Sequence, residues 1–167
     1  MSEPVAPECF REALSTVATA VSVASTMDDR GQPRALTIGS LCALSLRPPL
    51  VSFGIGRVSR THLVFANAPR FAVTLLAEGQ EDVARRFAGQ LPGRHEEPLD
   101  IVDGLPVVPG GLTYLLCTMA TRLPGGDHTI IIGEVYRTAT RDGMPLVYYR
   151  REYTSVRTAY ALVPHVL

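Results

Sequence analysis

The chain has 167 residues, with 16 basic and 16 acidic side chains and no net charge. That is the size of one ordinary domain, without the basic excess that nucleic-acid binding requires. An apolar content of 46% against 19% charged residues describes a globular chain, and no apolar run approaches the ~20 residues that span a bilayer. All 16 basic residues are Arg, which excludes Schiff-base lysine chemistry and the P-loop lysine together.

Taken in chain order, the N-terminal stretch is acidic and carries no signal-like apolar segment, so a cytoplasmic protein of one domain, residues 1–167, is expected. Pro7 to about Thr16 reads as a short helix with Phe10, Leu14 and Val17 on one face. From Thr19 to Thr26 the β-branched and small residues make a strand. Asp28-Asp29-Arg30-Gly31 supplies a turn, and Arg34 to Ile38 returns as a second strand. Pro48-Pro49 lacks backbone donors and opens the next strand, residues 50–56. Ser59 to Asn67 reads as a helix capped by Ser59, with Pro69 beyond its end. Phe71 to Leu76 is a strand buried on both faces, and Gln80 to Ala88 a second short helix. The Gly/Pro-broken, polar stretch from Gly89 to Pro98 is a candidate lid. Leu112–Leu123, Thr129–Thr140 and Pro145–Tyr149 are strands, separated by turns at Pro124–Asp127 and Arg141–Gly143. Six or seven strands, joined mostly by hairpins and accompanied by two or three short helices, imply an antiparallel sheet that closes as a barrel.

Cys9, Cys42 and Cys117 are far apart and odd in number, which suits small buried hydrophobes in a reducing compartment better than disulfides or zinc. The four histidines have no ligand spacing, so no metal site is expected. There is no G-x-G-x-x-G after a strand, no P-loop and no G-x-S-x-G elbow, so a nicotinamide nucleotide would need a cleft rather than a dedicated Rossmann unit.

Four segments can carry chemistry. Thr37 to Leu50 is small and hydroxyl-rich, able to offer backbone N–H groups and hydroxyls to the polar rim of a flat ring, or equally to satisfy its own backbone. Arg57-Val58-Ser59-Arg60-Thr61-His62 combines two guanidinium groups and two hydroxyls at a helix start, suiting an anion or simple capping. Gly126-Asp127-His128 places a His at the start of a strand. Asp127 and His128 are adjacent and expected to point opposite ways, so no dyad is assigned. Tyr148 to Tyr153 mixes aromatic and Arg residues that can stack on a ring or pack at a subunit contact.

In this order the four segments resemble the short-chain flavin reductase family, the reductase components of two-component flavin-dependent monooxygenases. The resemblance runs from about Phe10 to Tyr153. It rests on Thr37-Ile38-Gly39-Ser40 and Ser45-Leu46-Arg47-Pro48-Pro49-Leu50, on Ser59-Arg60-Thr61, on Arg70-Phe71-Ala72-Val73, on the Gln80 to Ala88 helix, on Gly126-Asp127-His128 and on Tyr149-Arg150-Arg151. It implies an FMN-binding split barrel, an antiparallel Greek-key fold that is mainly β. It implies FMN or FAD held by Thr37, Ile38, Gly39, Ser40, Leu41, Ser45 and Leu46 on the ring side. Gly56, Arg57, Val58, Ser59, Thr61 and Arg86 would line the phosphate side, and Arg70, Phe71 and Ala72 the site wall. Tyr149 and Arg150 would lie near the nicotinamide nucleotide, with His128 facing the nicotinamide itself. Where relatives usually carry Ala-Asn or Ala-Ser, this chain has Ile38-Gly39, which implies looser flavin binding.

The resemblance further implies a homodimer that passes hydride from NADH or NADPH to flavin and supplies a partner monooxygenase. A split-barrel protein that binds flavin or haem without turnover is the alternative.

Overall fold

The computed structural model describes residues 3–91 and 98–156. Chain order gives α1 (Pro7–Ser15), β1 (Thr19–Ala20), β2 (Ser22–Met27), β3 (Pro33–Ile38), β4 (Cys42–Leu46), β5 (Pro49–Gly56), α2 (His62–Asn67) and β6 (Arg70–Leu75). There follow α3 (Glu81–Phe87), β7 (Asp100–Val102), β8 (Leu105–Val107), β9 (Thr113–Gly125), β10 (His128–Thr140), β11 (Leu146–Tyr149) and β12 (Glu152–Ser155).

Seven strands form one antiparallel sheet in the order β3-β2-β6-β9-β10-β5-β4. Its two edge strands, β3 and β4, are joined by only Gly39, Ser40 and Leu41. A three-residue link spans at most about 11 Å, so the sheet must curl until its edges meet, and it becomes a barrel. Register shifts at Ile132/Gly133 and Val135/Arg137 in β10, and at Ala43/Ser45 in β4, add the local twist that closure needs. A smaller sheet, β1-β11-β12, continues from β2 through Val21, whose N–H donates to the Leu146 carbonyl while its own carbonyl accepts from Leu76. β7 and β8 form a separate hairpin.

The core fills the barrel from the inner face. β5 alternates, with Val51, Phe53 and Ile55 buried and their neighbours part-exposed, as a strand with one face inside should. Phe53, Phe65 and Phe71 meet there in edge-on or tilted pairs, with centroids 5.4–6.5 Å apart. β6 is buried on both faces because β2 and β9 flank it while other elements cover each side.

Several sequence expectations change. Residues 42–46, within the hydroxyl-rich stretch to which the sequence reading assigns no strand before residue 50, are a strand paired to β5. That run, Cys-Ala-Leu-Ser-Leu, shows no alternation, because its side chains stay largely exposed. The short strands β7, β8 and β12 were likewise not legible. The second helix begins at His62, not Ser59, with Thr61 at the N-cap position and no side-chain cap bond. Among the described residues nothing buries the apolar side chains of α1 and the residue just after it: Phe10, Leu14 and Val17 are each more than half exposed. Of the cysteines only Cys117 is buried, and burial pushes its thiol up to about 12. Most of the candidate lid, residues 92–97, lies outside the described residues.

Candidate functional site

The outer face of the β5–β10 ladder brings together Ser40, Gly56 and His128 of the predicted residues. Antiparallel register sets His128 opposite Gly56 and Ile130 opposite Gly54, so these residues share one face, directed away from the Phe53 core. Neither Gly has a side chain. A Cβ on Gly56 would lie 3.6 Å from His128 Nε2, and one on Gly54 would lie 3.6 Å from His128 Cδ2 and 3.9 Å from Ser40 Oγ. The His128 ring and Ser40 therefore flank a shelf of bare backbone. Ser40 is fixed there because its hydroxyl accepts the Gly54 N–H at 3.0 Å, the bond that stitches the β3–β4 link across the barrel seam.

His128 is oriented by its neighbour after all: Asp127 Oδ1 accepts from His128 Nδ1 at 2.7 Å. Alternation does not apply, because Asp127 lies in the two-residue turn after Gly125 and only His128 begins the strand. The hydrogen bond from His128, then the charge of the imidazole and that of Arg57, hold the Asp127 carboxyl below its ordinary value. An ionised carboxylate only accepts, so Nδ1 carries the proton and Nε2 faces the Gly56 shelf.

The turn after β5 lies against the same hairpin. The Arg57 N–H donates to the Asp127 carbonyl at 2.9 Å. The Ser59 and Thr61 hydroxyls lie 2.9 Å apart, and the Thr61 N–H donates to Ser59 Oγ. Because α2 has only six residues, the hydroxyls and guanidinium groups carry any anion binding here, not a helix dipole. Arg60 Nη2 lies 3.7 Å from where a Cβ on Gly89 would be, which brings the end of α3, and with it half-buried Arg86, toward this turn. Val58 is almost fully exposed.

Other predicted residues stand elsewhere. The Thr37 hydroxyl donates to the Ala84 carbonyl and so ties β3 to α3. Ile38 is a core residue, and Leu41 packs against that core. Ser45 pairs with Leu50, four residues from Gly54, or about 13 Å along the strand. Leu46 beyond it is almost wholly exposed. Phe71 and Ala72 are fully buried, so their side chains do not line a surface site. Arg70 lies four residues along β6 from Thr74, the position level with Thr37 through Val23, again about 13 Å. Its guanidinium donates to the Asp103 carbonyl. Tyr149 is exposed with Arg150 stacked 5.6 Å from its ring, on the small sheet where Thr19 pairs with Tyr148. Thr19 links this sheet to the site, since a Cβ on Gly39 would meet Thr19 Oγ1 at 3.1 Å. The space a larger residue would take at position 39 is thus partly filled.

Two contributors were missed. Gly54 is readable as half of a Gly-x-Gly pair inside a strand, a sign of close approach. Asp127 already reads as a turn residue in the sequence, but strand alternation is applied to it there, where it does not hold.

Comparison with known proteins agrees with this architecture. The chain matches the structure titled "Flavin reductase PheA2 in native state" with a TM-score of 0.88 and 28% identity, covering 92% of this chain and 100% of the other. It matches the Streptomyces globisporus NADH:FAD oxidoreductase SgcE6, in complex with NAD and FAD fragments, with a TM-score of 0.80 and 30% identity over 92% and 96% of the two chains. The fold is therefore the split barrel of flavin reductases. Residues 14–157 match the flavin reductase like domain, and the chain belongs to that family. Among relatives, the Agrobacterium fabrum FMN reductase (NADH) SmoA is 39% identical over 142 residues, 83% of this chain and 80% of that protein. The Mycobacterium tuberculosis flavin-dependent monooxygenase reductase subunit HsaB is 34% identical over 93% of this chain and 86% of its own length.

Proposed function

We propose that this protein is an NADH-dependent flavin reductase that supplies reduced flavin to a partner monooxygenase. The observation that carries the reading is the backbone shelf of Gly54 and Gly56, flanked by Ser40 and by a His128 whose tautomer is set by Asp127. A flat ring fits such a shelf because Cβ atoms at the two glycines would stand in its place. The N–H groups of Gly39, Ser40 and Leu41, between strands, are suited to its polar rim. The Ser59 and Thr61 hydroxyls with Arg57 and Arg60 are suited to a phosphate one turn away.

Flavin, when bound, supplies the hydride acceptor; the chemistry is the cofactor's. The chain's own part is to hold the ring on the shelf, to present His128 Nε2 toward the nicotinamide, and to donate N–H groups where negative charge develops. FMN and FAD both suit the ring site, and the names of the relatives favour NADH as reductant.

A homodimer in the cytoplasm completes the reading. A nine-residue helix is too short to persist alone, and an apolar stripe of Phe10, Leu14 and Val17 in solvent calls for cover. Leu123 and Ile130, paired with each other and facing outward beside the shelf, are exposed as well. Among the described residues no helix is long and apolar enough to cross a membrane.

The test is NADH oxidation followed at 340 nm with added FMN or FAD, alongside sedimentation of the purified chain. Turnover with either flavin and a dimeric mass are expected. Absence of NADH oxidation with both flavins overturns the redox assignment.

A further inference from the structure

His62 lies outside the shelf, yet it ties two parts of the site together. Its Nε2 is 2.8 Å from Thr129 Oγ1, a contact spanning 67 residues. Thr129 directly follows His128 and pairs with Ile55 on the inner side of β5. At its other end the Ser59–Thr61 turn is held by Arg57 N–H on the Asp127 carbonyl. The turn is thus pinned on both sides of His128, once by backbone at Asp127 and once by side chains at Thr129.

The second pin matters because α2 cannot hold itself. It has six residues and no side-chain N-cap bond. Phe65 anchors its middle in the core. Arg122 donates to the Phe65 and Ala68 carbonyls at its C-terminal end. Among the described residues, His62 makes the one side-chain hydrogen bond from its first turn to the sheet.

We propose that His62 and Thr129 form a positioning pair that fixes the Ser59–Thr61 hydroxyls at the spacing from the Gly54–Gly56 shelf that a phosphorylated flavin requires. This deepens the reading of that turn as the phosphate side and rests on it. His62 itself touches no reacting atom. Its contribution should appear only in the extra affinity that a phosphate adds to a ring.

Fluorescence titration with FMN and with riboflavin measures that extra affinity as a ratio of dissociation constants. Replacing both hydroxyls (S59A/T61A) should lower the FMN preference. His62→Ala and Thr129→Val should each lower it about fivefold to tenfold, the scale of one hydrogen bond, while riboflavin binding stays within about twofold of the parent. Combining H62A with T129V should do no more than either alone, because both remove one contact. Thr129→Ser and His62→Gln, which keep a bonding partner, should restore most of the preference.

If S59A/T61A lowers the preference and His62→Ala leaves it unchanged, the positioning role is wrong although the phosphate reading stands. Equal weakening of both flavins by His62→Ala also overturns it, since that marks general loss of structure. If S59A/T61A leaves the preference intact, the phosphate reading fails and takes this inference with it.

Discussion

Glycines on the two faces of one ladder have opposite uses. Gly133 on β10 faces inward, and a Cβ there would lie 2.3 Å from Phe71 Cζ and 3.0 Å from Cys117 Cβ. The protein fills that space itself. Gly54 and Gly56 on β5 face outward, and a Cβ on either would make only ordinary contacts at 3.6 Å or more. Among the described residues, that room is bordered by the His128 ring and the Ser40 hydroxyl and not by the core. A missing side chain that the core does not require is therefore room for a ligand, and the comparison separates fold from function within two neighbouring strands.

Each substitution below sharpens or breaks that contrast. The largest effect should fall on the inner glycine: Gly133→Ala must displace Phe71, and overpacking of this kind costs about 1–3 kcal/mol. Thermal unfolding should register it, while flavin affinity of the folded fraction at low temperature stays near the parent's. His128→Ala should slow hydride transfer in single turnover by ~10- to 100-fold, or roughly 1.4 to 2.7 kcal/mol of barrier. A normal rate would remove His128 from the site.

Gly54→Val on the outer face should weaken flavin binding about tenfold, or ~1.4 kcal/mol, with little change in melting temperature. If it destabilises the chain as much as Gly133→Ala, the outer shelf is structural and the contrast collapses. Asp127→Asn, which frees the choice of imidazole tautomer, should slow hydride transfer roughly 2- to 10-fold without altering flavin affinity.

The smallest effect concerns pH. Because the Asp127 carboxyl is held below its ordinary value, it stays ionised throughout the neutral range. Its orienting of His128 is then complete above about pH 4, and is lost only as pH falls through the lowered value. Hydride-transfer rates in the wild-type chain should show no Asp127-linked change between about pH 5 and pH 8.

How legible the molecule was depended on distance along the chain. The β9–β10 hairpin was readable because Gly125-Gly126-Asp127 sits between two alternating runs, and turn chemistry and side-chain period are both local. β4 was not, since its exposed residues have no periodicity to show and its pairing comes from β5. Ser59 illustrates the same limit: its hydroxyl does accept an N–H, but from Thr61 in a turn rather than as a helix cap. Phe71 and Ala72 belonged to a plausible site motif, and only their complete burial shows that their side chains serve the core.

The sequence alone determined the strand-rich class, the hairpin turns, the resemblance to flavin reductases and the four segments that carry the polar groups, because each of these depends on residues a few positions apart. Tertiary structure decided that Ser40, Gly54 and His128 meet on one face, that Asp127 turns toward His128, and that Arg70 stands away. Those outcomes follow from closing β3 onto β4, which sets the register between strands distant in the chain, and a shift of one residue would turn every side chain to the other face.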